Sequence, residues 1–198
     1  MDDTPLRWYQ RPSTYLLLAI PVLILGVLFS ASAGVLSQHY RTYFIPSAAM
    51  EPTLQIGDHF FVDNWAYRKK PLQRGDVIVF RSPENPSITI VSRCIAVGGD
   101  SVEIRDKRLS INGQPVAEPY ARYVDPTVHQ NDGLTSFGKR DQLRASKVPP
   151  DSCYVLGDNR DNSYDSRFWG SVHNSLLRGQ ALYIYWAKDR SKIGRRIR

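Results

Sequence analysis

Cysteine is almost absent from this chain of 198 residues, which holds only Cys94 and Cys153. Two thiols cannot build a disulfide-dense scaffold or a four-cysteine zinc site, so the fold has to rest on its own apolar core. Histidine is just as thin: His39, His59, His129 and His173 are scattered at no ligand spacing. The sequence therefore predicts neither a metal site nor a cofactor. Charge is missing from one whole stretch, since no residue between Pro12 and Gln38 carries any. Sustained helical periodicity is scarce after that stretch, and no internal repeat is visible.

The uncharged stretch is predominantly aliphatic from Tyr15 to Leu36, long enough for a bilayer crossing that takes roughly 20 residues. A cleaved secretory signal has an apolar region of only about 7 to 15 residues. Ala31-Ser32-Ala33 leaves cleavage open, but the length of the run favours a retained anchor. Arg7 and Arg11 precede the run and Arg41 follows it, so the positive-inside rule predicts a cytoplasmic N-terminus and a main domain on the far side. The expected divisions are a cytoplasmic segment over 1–14, a transmembrane helix over 15–36, an extracytoplasmic domain over 39–187 and a basic tail over 188–198. The location expected is a single-pass membrane protein.

The formal net charge of +7 is concentrated at that tail, where Lys188, Arg190, Lys192, Arg195, Arg196 and Arg198 face only Asp189. What remains is nearly neutral, which argues against a nucleic-acid partner. The tail suits either an anionic lipid surface or a plain solvated terminus.

The domain itself reads as mostly β. Val77 to Phe80, Ile88 to Ile95, Val102 to Arg105, Arg108 to Ile111, Cys153 to Leu156 and Ala181 to Trp186 have strand character, being β-branched or alternating apolar with polar. Asn112-Gly113 suits a type I′ hairpin turn. Tyr123 to Lys147 is polar and turn-rich, with Asp125-Pro126 and Asn131-Asp132-Gly133, and is expected to be a long surface excursion.

Three segments are unusual enough to carry chemistry. Ile45-Pro46-Ser47-Ala48-Ala49-Met50-Glu51-Pro52-Thr53-Leu54 sets small residues between two prolines and reads as a narrow extended piece. Taken alone it could be a linker. Ser92-Arg93-Cys94 to Gly98-Gly99-Asp100 is a strand running into a glycine turn. Gly157-Asp158-Asn159-Arg160-Asp161-Asn162-Ser163-Tyr164-Asp165-Ser166-Arg167-Phe168-Trp169-Gly170 packs opposite charges between glycines. A calcium loop would need an oxygen ligand at the third position and glycine at the sixth, where this run has Arg160 and Ser163. The alternating charges point instead to a pinned, partly buried ion network.

Together these segments resemble those of type I signal peptidases, membrane-anchored serine endopeptidases that remove signal peptides from exported proteins. The likeness covers the span and nearly all of Tyr43 to Trp186. It is strongest over Gly157 to Gly170 and extends to Arg74-Gly75-Asp76-Val77-Ile78-Val79-Phe80 and Ile111-Asn112-Gly113. The resemblance implies a signal-peptidase-like β domain behind one N-terminal transmembrane helix, and a Ser-Lys dyad in which a neutral lysine is the base. Burial against apolar surface lowers that amine's pKa so that it can accept a proton. The family's serine immediately precedes the methionine of the first segment, and its lysine immediately precedes the arginine of the second. Those positions hold Ala49 and Ser92 here.

The rest of the implied apparatus is present. Ser47 matches the oxyanion-hole serine and Ser163 the serine that touches the lysine amine, while Asp158 with Arg93 and Asp165 with Arg167 match supporting salt bridges. On an extended chain Ser47 would lie about 6.5 to 7 Å from Ala49, too far to replace a nucleophile when misplacement of about 1 Å can cost around 100-fold. Lys69, Lys70, Lys107, Lys139 and Lys147 have no spacing that marks them as a base. The expectation is a non-catalytic relative that keeps a groove for the signal peptides of exported preproteins, with an active signal peptidase I as the alternative. Membrane lipid and an active paralogue are the further expected partners. In an extracytoplasmic compartment Cys94 and Cys153 could be bridged, or could be two buried free thiols.

Overall fold

The alternating segments become two antiparallel sheets in the computed structural model, which describes residues 12–130 and 136–198. Arg7, Arg11 and the Asn131-Asp132-Gly133 turn lie outside the described residues. The chain divides into two compact units, Met1–Tyr40 and Arg41–Arg198.

The first unit contains one helix, α1 (Pro12–His39), with Pro21 inside it. Ile20, Val22, Leu23, Ile24, Leu25, Val27, Leu28 and Phe29 are all exposed on it, so its apolar side chains are not confined to one stripe. Among the described residues no helix is long and apolar enough to cross a membrane.

In the second unit the strands are β1 (Tyr40–Phe44), β2 (His59–Asp63), β3 (Val77–Arg81), β4 (Thr89–Val97), β5 (Ser101–Arg105), β6 (Arg108–Ile111), β7 (Gln114–Pro115), β8 (Leu143–Lys147), β9 (Ser152–Leu156), β10 (Val172–His173) and β11 (Leu177–Trp186). The larger sheet has the order β1-β2-β11-β3-β4-β9-β10 and the smaller β7-β6-β5-β8. Short helices α2 (Ala66–Lys69), α3 (Ser136–Asp141) and α4 (Ser166–Trp169) decorate the loops.

β3 lies well inside the larger sheet, and its period of two divides its side chains between two cores. Val77 and Val79 join Phe60, Val62, Met50, Leu54, Ala181 and Ile184 on one face, while Ile78 and Phe80 join Cys94, Cys153, Val155 and Val172 on the other. A third core, built from Ile95, Ala96, Val102, Ile104, Leu109, Ile111, Tyr154 and Leu156, joins the smaller sheet to β4 and β9. Both cysteines are buried free thiols.

Two expectations change. The region Tyr123 to Lys147 is not all loop, because β8 pairs antiparallel with β5 and its hydrophobic Leu143 packs on the third core. Its charged and small side chains, four of the five exposed, hid it from a pattern search that looks for alternation. The terminal segment is likewise folded. Ile197 is buried in the first core and its N–H donates to the Leu182 carbonyl at 2.8 Å, and Lys192 is buried against Asp58. The Asn112-Gly113 turn forms as expected: both residues have positive φ (54° and 76°), and Ile111 pairs with Gln114.

Candidate functional site

Ser47 with Ala49, Ser92 and Ser163, from three segments far apart in sequence, line one cleft of about 900 Å³. Three elements make its walls: the 44–50 segment beyond β1, the start of β4 with the loop before it, and the 161–164 turn. Ser47 is extended (φ −136°, ψ 162°), and Ala48–Met50 then closes a 3₁₀ turn. The extended geometry expected of this piece therefore stops at Ser47, and the carbonyl of Ala49 is directed at the Gly157–Gly170 loop. It accepts from the Asn159 N–H at 3.0 Å, and the Asn159 side-chain amide donates to the Ala48 carbonyl at 3.1 Å. Met50 is buried and anchors the turn in the first core.

Gly157 is required where it stands. A Cβ there would come 2.5 Å from the Ala49 carbonyl oxygen and 2.6 Å from Ser163 Cβ, with Ser163 Oγ closer still. The absent side chain is what lets the turn carrying Ser163 approach the 3₁₀ turn carrying Ala49.

Beneath the cleft lies a buried ionic frame. Arg93 donates to both carboxylate oxygens of Asp158, at 2.8 Å from Nε and 2.6 Å from Nη2. Its Nη1 donates to the Gly75 carbonyl at 2.9 Å, and Thr53 Oγ1 donates to Asp158 at 2.5 Å. The guanidinium also covers the Tyr120 ring, 3.9 Å from its centroid. Arg167 grips Asp165 with two bonds of 2.8 Å and reaches the Arg160 carbonyl at 2.7 Å, while Asp165 accepts from the Gly157 N–H at 3.0 Å. Asp165 is also the N-cap of α4. Arg93, Asp158, Asp165 and Arg167 are all buried, and paired bidentate geometry is what allows four charges to sit away from water.

The sequence pointed to these two pairs but not to a third. Arg160 holds Glu118 at 2.7 and 2.6 Å and donates from Nε to the Gly157 carbonyl at 3.0 Å. Glu118 belongs to an irregular stretch with no motif, so no sequence signal marked it. Asp161 forms a fourth node, accepting from Lys107 Nζ at 3.0 Å and from the Val124 and Asp125 N–H groups at 2.8 Å each. Burial pushes the Asp161 carboxyl up, but those hydrogen bonds outweigh it and hold the acid below its ordinary range. Burial, reinforced by Glu118, pushes the Tyr120 phenol up to about 12.

Ser92 is 2 % exposed and pairs with Ile78 across β3 and β4. Its hydroxyl is the only side-chain function at that position, and among the described residues no lysine, histidine or cysteine lines the cleft. Lys107 does not line the cleft and is engaged with Asp161, with Asp141 at 3.8 Å and with the Asp125 carbonyl at 2.6 Å. Among the described residues no group of His, Cys, Asp and Glu could hold a metal ion.

Comparison with known proteins agrees with the resemblance. The chain is 37% identical over 180 residues to a signal peptidase I of Leptolyngbya laminosa, covering 85% of this chain and 82% of that protein. It is 30% identical over 213 residues to a signal peptidase I of Aquifex aeolicus, covering 84% and 81%. A crystal structure of a signal peptidase I from Enterococcus faecalis aligns with 31% identity and a TM-score of 0.42, over 56% of this chain and 97% of that one. Residues 15–186 match the family described as "Signal peptidase, peptidase S26", and the chain belongs to that family.

Proposed function

We propose that this family member binds signal-peptide ends without cutting them, held at a membrane by α1. The observation that carries the reading is the composition of the cleft wall. The positions that the family resemblance assigns to nucleophile and base are a methyl group, Ala49, and a hydroxyl, Ser92, with no amine on the lining. A methyl group cannot attack a carbonyl, and a hydroxyl is no base near neutral pH. The frame around them is complete, from Gly157 to the Arg93–Asp158 and Asp165–Arg167 pairs. A groove so braced keeps its shape for a ligand whether or not it reacts.

The anchoring part rests on α1, whose exposed apolar residues from Ile20 to Phe29 have no polar face to offer water. A cytoplasmic N-terminus and an extracytoplasmic domain follow if that helix crosses. The scissile region of an exported protein emerges beside the bilayer, which is where such a groove would be useful.

The test uses the purified full chain in detergent with a preprotein ending its signal in Ala-x-Ala. The expected result is saturable binding and no cleavage. Turnover above a blank that disappears in Ser47→Ala would show a rebuilt catalytic centre and overturn the proposal.

A further inference from the structure

The cleft is short of charge, and one charge in it is uncommitted. Among the described residues two carboxylates line it, Glu84 and Asp161, and no lysine or arginine does. The Asp161 side chain is only 2 % exposed and is saturated by Lys107, Arg140 and two backbone N–H groups. Glu84 is exposed and has no ion pair; its partner is the Tyr164 hydroxyl, which donates to it at 3.3 Å.

Glu84 and Tyr164 come from opposite walls. Glu84 belongs to the loop between β3 and β4, Tyr164 to the turn that carries Ser163. The loop is internally braced. The Ser82 N–H donates to the Ile88 carbonyl and the Ile88 N–H to the Asn85 carbonyl, both at 2.9 Å, and Pro83 and Pro86 fix φ on either side of Glu84 and Asn85. Tyr164 is backed by Phe168, stacked at 5.0 Å between centroids, and remains 60 % exposed. A carboxylate and an electron-rich ring held side by side, with no cation supplied by the protein, form a receptor for a cation.

We propose that Glu84 and the Tyr164 ring form a cation subsite at one end of the cleft, so that the bound peptide carries a lysine or arginine side chain there. This deepens the groove reading and rests on it. Tyr164 directly follows Ser163, and Glu84 lies on the loop that leads into β4. Asp161 cannot compete for the cation because its acceptor sites are already filled.

The experiment measures fluorescence anisotropy of labelled signal-peptide ends bearing Ala-x-Ala, with the full chain in neutral detergent. A single lysine is scanned through the peptide against glutamine at the same position. At one position of the scan the lysine peptide should bind about three- to ten-fold more tightly than its glutamine twin. Glu84→Gln should remove that advantage, and Tyr164→Phe, which keeps the ring, should retain most of it. Equal affinity of lysine and glutamine peptides at every position, or a lysine advantage that survives Glu84→Gln, overturns the subsite while leaving the groove reading in place. Failure of any peptide to bind overturns the groove reading and the subsite with it.

Discussion

Ser92 and Arg93 are neighbours on β4, both almost wholly buried, yet they differ in every respect that matters to the site. Arg93 meets Asp158, Thr53, the Gly75 carbonyl and the Tyr120 ring. Ser92 contributes a single hydroxyl to the cleft wall. Because successive side chains of a strand point to opposite faces, one residue faces the cleft and the other the frame that shapes it. The contrast separates two roles on one strand: Arg93 is part of a frame of buried ion pairs, and Ser92 presents a hydroxyl to the cleft.

The sharpest way to break this contrast is to refill the vacant positions. Ala49→Ser combined with Ser92→Lys should raise preprotein cleavage from the blank by several orders of magnitude, on the order of 10³ or more. A folded double variant without turnover would show that the frame no longer holds reactive geometry. Next in size, Arg93→Met leaves Asp158 buried without its partner and should cost about 3 to 5 kcal/mol in urea-monitored unfolding. A loss below about 1 kcal/mol would mean that the pair contributes little to the frame. Gly157→Ala forces a methyl group against Ser163 and the Ala49 carbonyl, and overpacking of this kind should cost about 1 to 3 kcal/mol and weaken peptide binding.

Acid should act on the ion pairs, including Asp161 on the cleft lining. Asp100 and Asp161 are held below their ordinary range: burial pushes each up, but Arg74 with the Val97 N–H for the first, and the Asp125 N–H with Lys107 for the second, prevail. Carboxyls depressed in the folded state add stability that is full above their unfolded value and is lost as pH falls through the folded one. Unfolding free energy should therefore be flat near neutrality and decline below about pH 4; a decline already complete at pH 6 would contradict this assignment. Smallest of all, Ser92→Ala should change stability by less than about 1 kcal/mol, measured in the same urea titration that exposes Arg93→Met.

Much of the frame was legible from residue order. Arg93 with Asp158 and Asp165 with Arg167 were assigned by resemblance, and each forms a two-pronged pair. The Glu118–Arg160 pair was not, because it joins a motif residue to an irregular one across 42 positions. β1, β2, β8 and β10 were also missed. Their short runs carry charged or aromatic residues on exposed positions, which blurs the alternation that a strand search needs. The expectation of an extended nucleophile segment failed at Ala48–Met50 for a different reason: the turn is fixed by Asn159, over a hundred residues away.

Residue order alone determined that the domain is mostly β, and the resemblance it carries marked Ala49 and Ser92 as positions with neither the serine nor the lysine that the family pattern expects. These are properties of side-chain type, and side-chain type is local. Only the tertiary structure decided that Ser47 and Ala49, Ser92 and Ser163 line one cleft, that Asp161 is saturated while Glu84 is not, and that Gly157 must lack a side chain. Each of those depends on distances between segments far apart in the chain, which packing sets and sequence spacing does not.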